Sequence, residues 1–597
     1  MGKELTAQNA PGISASLSGR RWIWNEPEAR IGQAIAQRFG LPEIVGRLLA
    51  SRGVKPEGAG QFLEPTLRAL MPDPSCMMDM DRAAARLAKA VQNQETVGIF
   101  GDYDVDGACS CAIITLLLRR LGCTAIPYIP DRMTEGYGPN VNALSGLVDR
   151  GASLIVCVDC GTSAAEILET MVGRAEVIVL DHHAAQGTLP NIIAVVNPNR
   201  PDCISGLRML CAGGVAFMAA VATQRHLRKF GFFKNGEEPD LKELLDLVAL
   251  STVCDVMPLV GLNRAFVVAG LKVMERRARP GVAALLDVAH ITERLSAMTL
   301  GWSLGPRINA AGRISESDLG FRLLLSDDEL EARELALQLD SINNTRQDVE
   351  ADILEDAMRQ AADQIANGRA CVLVSSTKWH AGVVGIVAGR IKERFNRPAC
   401  VAAISDGLAK GSGRSVLGLD LGAAVMAARA HGLLISGGGH GMAAGFGLQV
   451  ADMDRFHAFL DERLAVASML PQAADLVVDG AISVAGCTLD LATQLGRLAP
   501  FGSGNAEPTL VLSRVRVAQT ERIGKEGKTL RVMLEGEGGG SRLKGLLFRA
   551  GNTNLAQTMS SRDGTVLNVA GHLRAESWNG RVSAGFIIVD AALEAEA

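Results

Sequence analysis

The sequence predicts an α/β protein built on a largely parallel sheet, continued by one long helix and ended by a small all-β barrel. Between residues 97 and 197, short apolar runs alternate with helical patterns, the arrangement of a parallel sheet covered on both faces. Residues 327–365 form a polar-apolar periodic stretch without Pro or Gly, closed by Gly368; this reads as one extended helix. From Asp475 onward, short alternating runs broken by Gly and Asn-Gly turns read as a barrel.

The sheet begins at residues 97–110, VGIFGDYDVDGACS. An apolar run stops in a Gly-flanked acidic cluster and a long apolar segment follows, which reads as strand, turn, helix. Asp102, Asp104 and Asp106 occupy alternate positions. A chain still extended there points all three carboxylates one way, at the carboxyl end of a strand, where open α/β sheets place their sites. Three like charges this close repel unless a cation neutralises them, and a divalent metal with oxygen ligands is the natural occupant. The alternative is a solvated acidic turn that caps the next helix.

The pattern continues with a strand at 124–129, a helix at 141–148, a strand at 154–158 ending in Asp159, a strand at 177–180 ending in Asp181-His182-His183, and a strand at 193–196 ending in Asn197. Three strands end in carboxylate or imidazole groups, and on a parallel sheet their ends share one edge. Asp159 and His182 are therefore candidate ligands beside the first cluster. The apolar run 247–253 leads to a further candidate, Asp255. Ahead of the sheet, residues 1–18 are polar and small, expected to be disordered, and a short helical lead-in follows. The expected divisions are 1–74, 75–325, 326–368, 369–470 and 471–597.

Length and composition bound the rest. A chain of 597 residues, 48% hydrophobic, can bury several cores. No apolar run is long and clean enough for a membrane span, and the N-terminus lacks a basic segment followed by an apolar core, so a soluble cytoplasmic protein is expected. The 12 cysteines are scattered through apolar runs, as reduced thiols of a cytosolic protein are. Cys157 and Cys160 form a C-x-x-C with no second pair at zinc-like spacing and read as packing residues. The net charge of −5 gives no global footprint of nucleic acid, so such a partner must be held by local clusters. One lies in the C-terminal segment, where Arg514, Arg516, Arg522, Lys525, Lys528, Arg531, Arg542, Lys544, Arg549, Arg574 and Arg581 outnumber the acids, and Phe548 and Trp578 offer stacking faces. The plainer reading is a solvated sheet face with Phe548 in the core.

Taken in order, GDYDVDG, VDCGTS, VLDHH and STVCDVMPL resemble the successive motifs of the DHH phosphoesterase superfamily. GPRINAAGR (305–313), WHAGVVGIVAGR (379–390), GSGRS (411–415) and GGGHGMAAGF (437–446) narrow the resemblance to the bacterial RecJ single-strand DNA exonucleases. It implies a parallel-sheet DHH catalytic domain, a connecting helix, an α/β DHH-associated domain and an OB-like barrel that binds single strands. By its pattern alone the long helix could equally be a coiled-coil dimer arm. The implied activity is 5′ to 3′ hydrolysis of single-stranded DNA to 5′-mononucleotides in DNA repair and recombination, by a two-metal mechanism using Mn²⁺ or Mg²⁺. A monomer working with a helicase and a single-strand-binding protein is the expected setting.

By the same resemblance, Asp104 and Asp159 hold one ion with Asp102 at its edge, while Asp106, Asp159, His182 and Asp255 hold the second. His183 faces the scissile phosphate and Asp181 orients the imidazoles. Arg132, in PDRMTEGYG, helps hold the 5′ end. Arg307, Arg313, Arg414, Ser415 and His440 lie in Gly-rich stretches whose amides could cradle phosphates, though tight turning between packed strands also explains such runs. Many DHH pyrophosphatases carry a histidine just before the acidic cluster. Here Phe100 stands there, which thins the first metal site.

Other readings carry less. A DHH enzyme acting on short oligoribonucleotides has no need of a strand-binding barrel. An inactive scaffold would be expected to lack metal carboxylates, and all are present. A dinucleotide-binding oxidoreductase requires a G-x-G-x-x-G after the first strand, which is missing.

Overall fold

The computed structural model describes residue 13 and residues 15–594, apart from 133, 186, 237, 472, 525, 526, 537, 562, 563 and 579. Lys525 and the Trp578 side chain therefore lie outside the described residues, as does most of the segment expected to be disordered. The chain forms two compact units: one combines Glu57–Asn344 with Leu498–Glu507, the other the described residues up to Pro56 with Thr345–Arg497 and those from Pro508 on.

The first unit holds a five-stranded parallel sheet. Its spatial order is Thr124–Tyr128, Thr96–Gly101, Leu154–Val158, Glu176–Leu180 and Ala194–Val196. The three strands that end in acidic or imidazole residues are consecutive neighbours, so Asp102, Asp159 and Asp181 emerge side by side. The strands are near-continuous apolar runs because both faces are covered. On one side, helix Val105–Arg120 packs with Ala212–Lys229 and Leu245–Cys254 around Val97, Ile99, Val156 and Ile178. On the other, Leu144, Leu147, Leu168 and Met171 pack on Phe100, Ile155, Cys157 and Val179. Cys157 and Cys160 are both buried, and Cys160 donates to the Val158 carbonyl, as packing residues do.

The acidic cluster is not extended, contrary to the sequence reading. The strand ends at Gly101 and a helix starts at Val105. Asp104 is its N-cap, accepting at 2.8 Å from the Asp106 amide and 3.0 Å from the Gly107 amide. Asp106 is thus the second residue of the helix. The turn is tight enough that a Cβ on Gly107 would lie 2.3 Å from the Asp102 carbonyl oxygen, which only glycine avoids. Capping and metal-binding readings of the same acids are therefore compatible: one carboxylate oxygen caps, and the cluster still converges.

In the second unit, a mixed sheet orders Ser436–His440, Ala443–Gln449, Leu408–Arg414, Ala399–Ser405 and Val372–Ser376, the last two parallel. The long helix is present as Glu329–Ala366, and Gly368 follows at φ 77°. The C-terminal strands close a barrel, because Leu510–Ile523 pairs both with Thr529–Gly536 and with Leu567–Trp578, while Arg542–Leu547 runs parallel to Arg581–Leu593. Helix Asn554–Ser560 lies between the third and fourth of these strands. Near the N-terminus, Trp22–Trp24 is a strand parallel to Leu476–Val478, and the Trp22 indole donates to Asp590 at 3.0 Å. Among the described residues, no helix is long and apolar enough to cross a membrane.

Candidate metal centre

Five carboxylates and two imidazoles meet at the carboxyl edge of the parallel sheet. Three sets place their ligand atoms within 4.8 Å of one another: Asp102, Asp104 and Asp159; Asp106, His182 and Asp255; and Asp159, His182 and His183. Asp159 belongs to two of them. It sits at φ 60°, a left-handed conformation that Asp tolerates better than most residues and that active sites often hold.

His182 Nε2 is the centre of the second set. It lies 3.3 Å from Asp159 Oδ1 and 3.5 Å from both Asp106 Oδ2 and Asp255 Oδ2. Four buried atoms of this cluster have no hydrogen-bond partner among the described residues: Asp102 Oδ1, Asp159 Oδ1, His182 Nε2 and Asp255 Oδ2. Orphaned acceptors in a dry site are costly. Adjacent ligands of one ion held at about 2.1 Å lie about 3.0–3.5 Å apart, the spacing seen around His182. The mixed oxygen and nitrogen donors fit Mn²⁺ or Mg²⁺.

Electrostatics agree. Burial, then the neighbouring carboxylates, push Asp102 and Asp159 well above the ordinary carboxylate range, and push Asp255 up to about 8. Asp255 also caps the C-terminal end of helix Leu245–Cys254, where the helix dipole disfavours an anion. Burial pulls His182 down, favouring the neutral imidazole that a metal would need.

Asp106 is fixed by three donors. The amides of Ala212 and Gly213 reach it at 2.7 and 2.8 Å from the start of a helix, and Ser251 Oγ donates as well. Asp181 stands behind the ligands, accepting from the amides of Thr162, His182 and His183 at 3.1, 2.7 and 3.1 Å, and from His183 Nδ1 at 2.9 Å. It orients one imidazole, His183, where the sequence reading had it orient both. Despite burial, these bonds hold Asp181 below the usual carboxylate range, and Asp181 raises His183 to about 9 against the effect of its own burial.

Several participants escaped the sequence reading. Tyr137 Oη lies 3.2 Å from His183 Nδ1 and donates to the Asp159 carbonyl at 3.3 Å. Asn197, at the end of the last strand, donates to Thr162 Oγ1 and the His183 carbonyl, both at 2.8 Å, and Asn199 donates to the His182 carbonyl at 2.6 Å. The position of Asn197 at a strand end was the available signal.

The predicted substrate contacts separate. The Arg132 guanidinium stacks over Tyr103, 4.7 Å from the ring centroid, and its charge acts on Asp102. Arg313 sits in the last turn of helix Gly305–Ile314, and its charge acts on Tyr103. Arg307 is engaged in structure: it binds Asp340 at 2.8 Å and the Ser303 carbonyl at 2.7 Å. In the other unit, Arg414 donates to Ser412 Oγ and the Gly413 carbonyl, and Ser415 is buried with its hydroxyl on the Leu419 carbonyl at 2.7 Å. His440 is exposed at the end of strand Ser436–His440. Gly437, Gly438 and Gly439 form that strand rather than a loop, and a Cβ on Gly439 would lie 2.3 Å from the Ala443 carbonyl oxygen; close strand packing explains these glycines.

The barrel's charges are partly spent. Arg514 pairs with Glu594, Arg531 with Glu521, Arg542 with Glu535 and Lys544 with Glu576. Arg516, Arg549 and Arg581 are exposed and form no ion pair among the described residues, and Phe548 is 53% exposed rather than in the core.

Family models match three segments: the DHH family N-terminal domain over residues 96–252, the DHHA1 domain over 367–466 and the RecJ OB domain over 478–590. The chain is 38% identical over 531 residues to the single-stranded-DNA-specific exonuclease RecJ of Salmonella typhimurium, covering 86% of this chain and 90% of that one. The Bacillus subtilis protein of the same name is 32% identical over 591 residues, covering 96% of this chain and 71% of its own. The crystal structure of RecJ in complex with Mn²⁺ from Thermus thermophilus superposes with a TM-score of 0.79 at 29% identity, covering 97% of this chain and 80% of that chain. A RecJ crystal structure bound to manganese, 33% identical, gives 0.55 and covers 66% of this chain and 96% of that one. The metal cluster, the three matched domains and these extended likenesses lead to one conclusion: the chain belongs to the RecJ family of single-stranded-DNA-specific exonucleases.

Proposed function

We propose that the protein is a metal-dependent exodeoxyribonuclease that degrades single-stranded DNA from the 5′ end and releases 5′-mononucleotides in DNA repair and recombination. The observation that carries this is Asp159, placed between the Asp102/Asp104 set and the His182-centred set, with orphaned carboxylate and imidazole atoms facing one another.

Asp102, Asp104 and Asp159 hold one Mn²⁺ or Mg²⁺, and Asp106, Asp159, His182 and Asp255 the other, with Asp159 common to both. When bound, such a pair supplies hydroxide at neutral pH and offsets charge on the phosphoryl oxygens. The acceptor-only Asp181 carboxylate keeps a proton on His183 Nδ1 and favours the charged ring, whose Nε2–H would then donate to the scissile phosphate. The rigid backing from Thr162, Asn197 and Asn199 keeps both imidazoles from swinging away. Arg132, held flat on Tyr103, receives the 5′-terminal phosphate. Phe548 with Arg516, Arg549 and Arg581 offers a stacking face and charge for the strand.

A monomer in the cytoplasm, fed by a helicase and a single-strand-binding protein, is the setting we assign; its twelve cysteines are free thiols, in keeping with a reducing compartment. The test is product release from a long single strand labelled at either end, with Mn²⁺, Mg²⁺ or chelator, beside a blunt duplex. Metal-dependent mononucleotides from the 5′ end with the duplex spared are expected. Tight binding with no cleavage under any metal would overturn the reading in favour of an inactive scaffold.

A further inference from the structure

Residues 498–507, LAPFGSGNAE, fall inside the segment matched by the OB-domain model but fold with the sheet unit that carries the metal centre. Arg264 holds them there. This guanidinium is among the most deeply buried charged groups in the chain, at 1% exposure. It donates to the Leu498 and Ala499 carbonyls at 2.9 and 2.6 Å and to the Phe62 carbonyl at 2.9 Å, and it stacks 4.1 Å over the Phe62 ring. A buried guanidinium so fully matched by backbone acceptors marks a fixed contact.

The loop is shaped to meet one target. Asn505 braces it by donating to the Leu498 and Pro500 carbonyls at 2.9 and 2.8 Å, and its backbone exchanges two hydrogen bonds with Gly502. That brings Ser503 forward, and its carbonyl accepts from the Leu259 amide at 2.7 Å. Glycines line the contact: a Cβ on Gly502 would lie 2.8 Å from Leu259, and one on Gly504, at φ 69°, 3.0 Å from Pro258.

Pro258 and Leu259 belong to the turn that leaves Asp255. That turn joins helices Leu245–Cys254 and Gly261–Met274, passes through Val256 at φ 57°, and is pinned by the Met257 amide on the Thr252 carbonyl. Asn263, fully buried, donates to the Pro258 carbonyl at 3.1 Å and the Met209 carbonyl at 2.6 Å. Met209 lies just before Ala212 and Gly213, whose amides hold Asp106. The neighbours Asn263 and Arg264 thus tie three pieces together: the Asp255 turn, the approach to the Asp106 cradle, and the C-terminal loop.

We propose that residues 498–507 are a positioning element of the metal centre: they set the turn after Asp255 and so tune the ion shared by Asp106, His182 and Asp255. This rests on the assignment of Asp255 as a ligand.

The experiment is Mn²⁺ binding to the full-length chain by calorimetry and by loss of the free-ion paramagnetic signal, with oligo-dT binding measured in parallel. Gly502→Ala keeps every hydrogen bond and presses on Leu259. Asn505→Ala removes the brace. Each is expected to weaken one of two Mn²⁺ sites by about tenfold, the lower end of the range by which outer contacts tune metal sites, with oligo-dT affinity unchanged and activity recovered at saturating Mn²⁺. Folded variants with parental Mn²⁺ affinity would overturn the proposal, as would loss of oligo-dT binding with both sites intact, which would make the loop part of the strand path. Asp255→Asn is the control for the underlying reading: if it leaves both Mn²⁺ sites at parental affinity, the ligand assignment fails, whatever the loop variants do.

Discussion

His182 Nε2 stands 3.3 Å from Asp159 Oδ1, and neither atom has a hydrogen-bond partner. Two buried, polar, facing atoms left unsatisfied mean that the site is built for a third body between them. Asp159→Asn is therefore expected to reduce turnover to background while oligo-dT binding persists. Asn keeps the φ 60° backbone at little cost, whereas Ala there adds about 1–2 kcal/mol of strain and would confuse the result. Near-parental rates in the Asn variant would remove Asp159 from the shared-ligand role.

The same crowding predicts how stability depends on pH. Asp102, Asp159 and Asp255 are held protonated in the metal-free fold to pH values well above those of unfolded carboxylates, Asp255 to about 8. The folded state then binds more protons than the unfolded one between about pH 4 and pH 8. With chelator, Tm should fall as pH rises through that window; with Mn²⁺ the trend should flatten or reverse, with protons released on binding. A chelator-treated protein whose Tm rises across the window would contradict the assigned clustering.

Asp181→Asn tests the backing of His183. Asn brings one acceptor oxygen to the four bonds that the two Asp181 oxygens take, and it carries no charge to hold a proton on His183. A loss of about 10- to 100-fold in kcat is expected, the usual consequence of disturbing such a partner, with little change in strand affinity. Equal losses in kcat and in binding would point to a collapsed edge instead.

Tyr103→Leu should release Arg132 while leaving Asp102 and Asp104 in place. A cation–π contact contributes about 0.5–2 kcal/mol, so KM for a 5′-phosphorylated strand should rise about two- to thirtyfold. KM for a 5′-hydroxyl strand should move far less. Equal shifts for both ends would detach Arg132 from the terminal phosphate.

In the barrel, Phe548→Ala and Arg549→Ala should separate by salt. The first removes a stacking face, a loss of about 1–3 kcal/mol that salt leaves largely alone. The second should lower the salt slope by about 0.7 for a single strand. Identical salt slopes in parent and Arg549→Ala would exclude a phosphate contact at Arg549.

Much of this was legible because strand ends and motif order are local properties. The five parallel strands follow from apolar runs that both faces demand, and Asp159 and His182 follow from their place at strand ends. The conformation of the acidic cluster was less accessible: alternation predicted an extended chain, but capping by Asp104 starts the helix within it. Arg307 read as a phosphate ligand because its partner, Asp340, lies 33 residues away on another helix, and no spacing rule links them. The loop around Ser503 was hidden for the same reason, since its target at Leu259 is distant in sequence. Ser415 sits in a Gly-rich run that looks like a cradle, yet strand packing turns its hydroxyl inward.

The candidate metal centre gathers side chains from four separated stretches, at Asp102–Asp106, Asp159, His182 and Asp255. A chain emerging from the ribosome therefore carries fragments that cannot grip an ion, since a site assembled by folding does not exist beforehand. With Asp255 as a ligand, hydrolytic competence would arrive late and all at once, only after that residue has left the exit tunnel and docked beside the sheet.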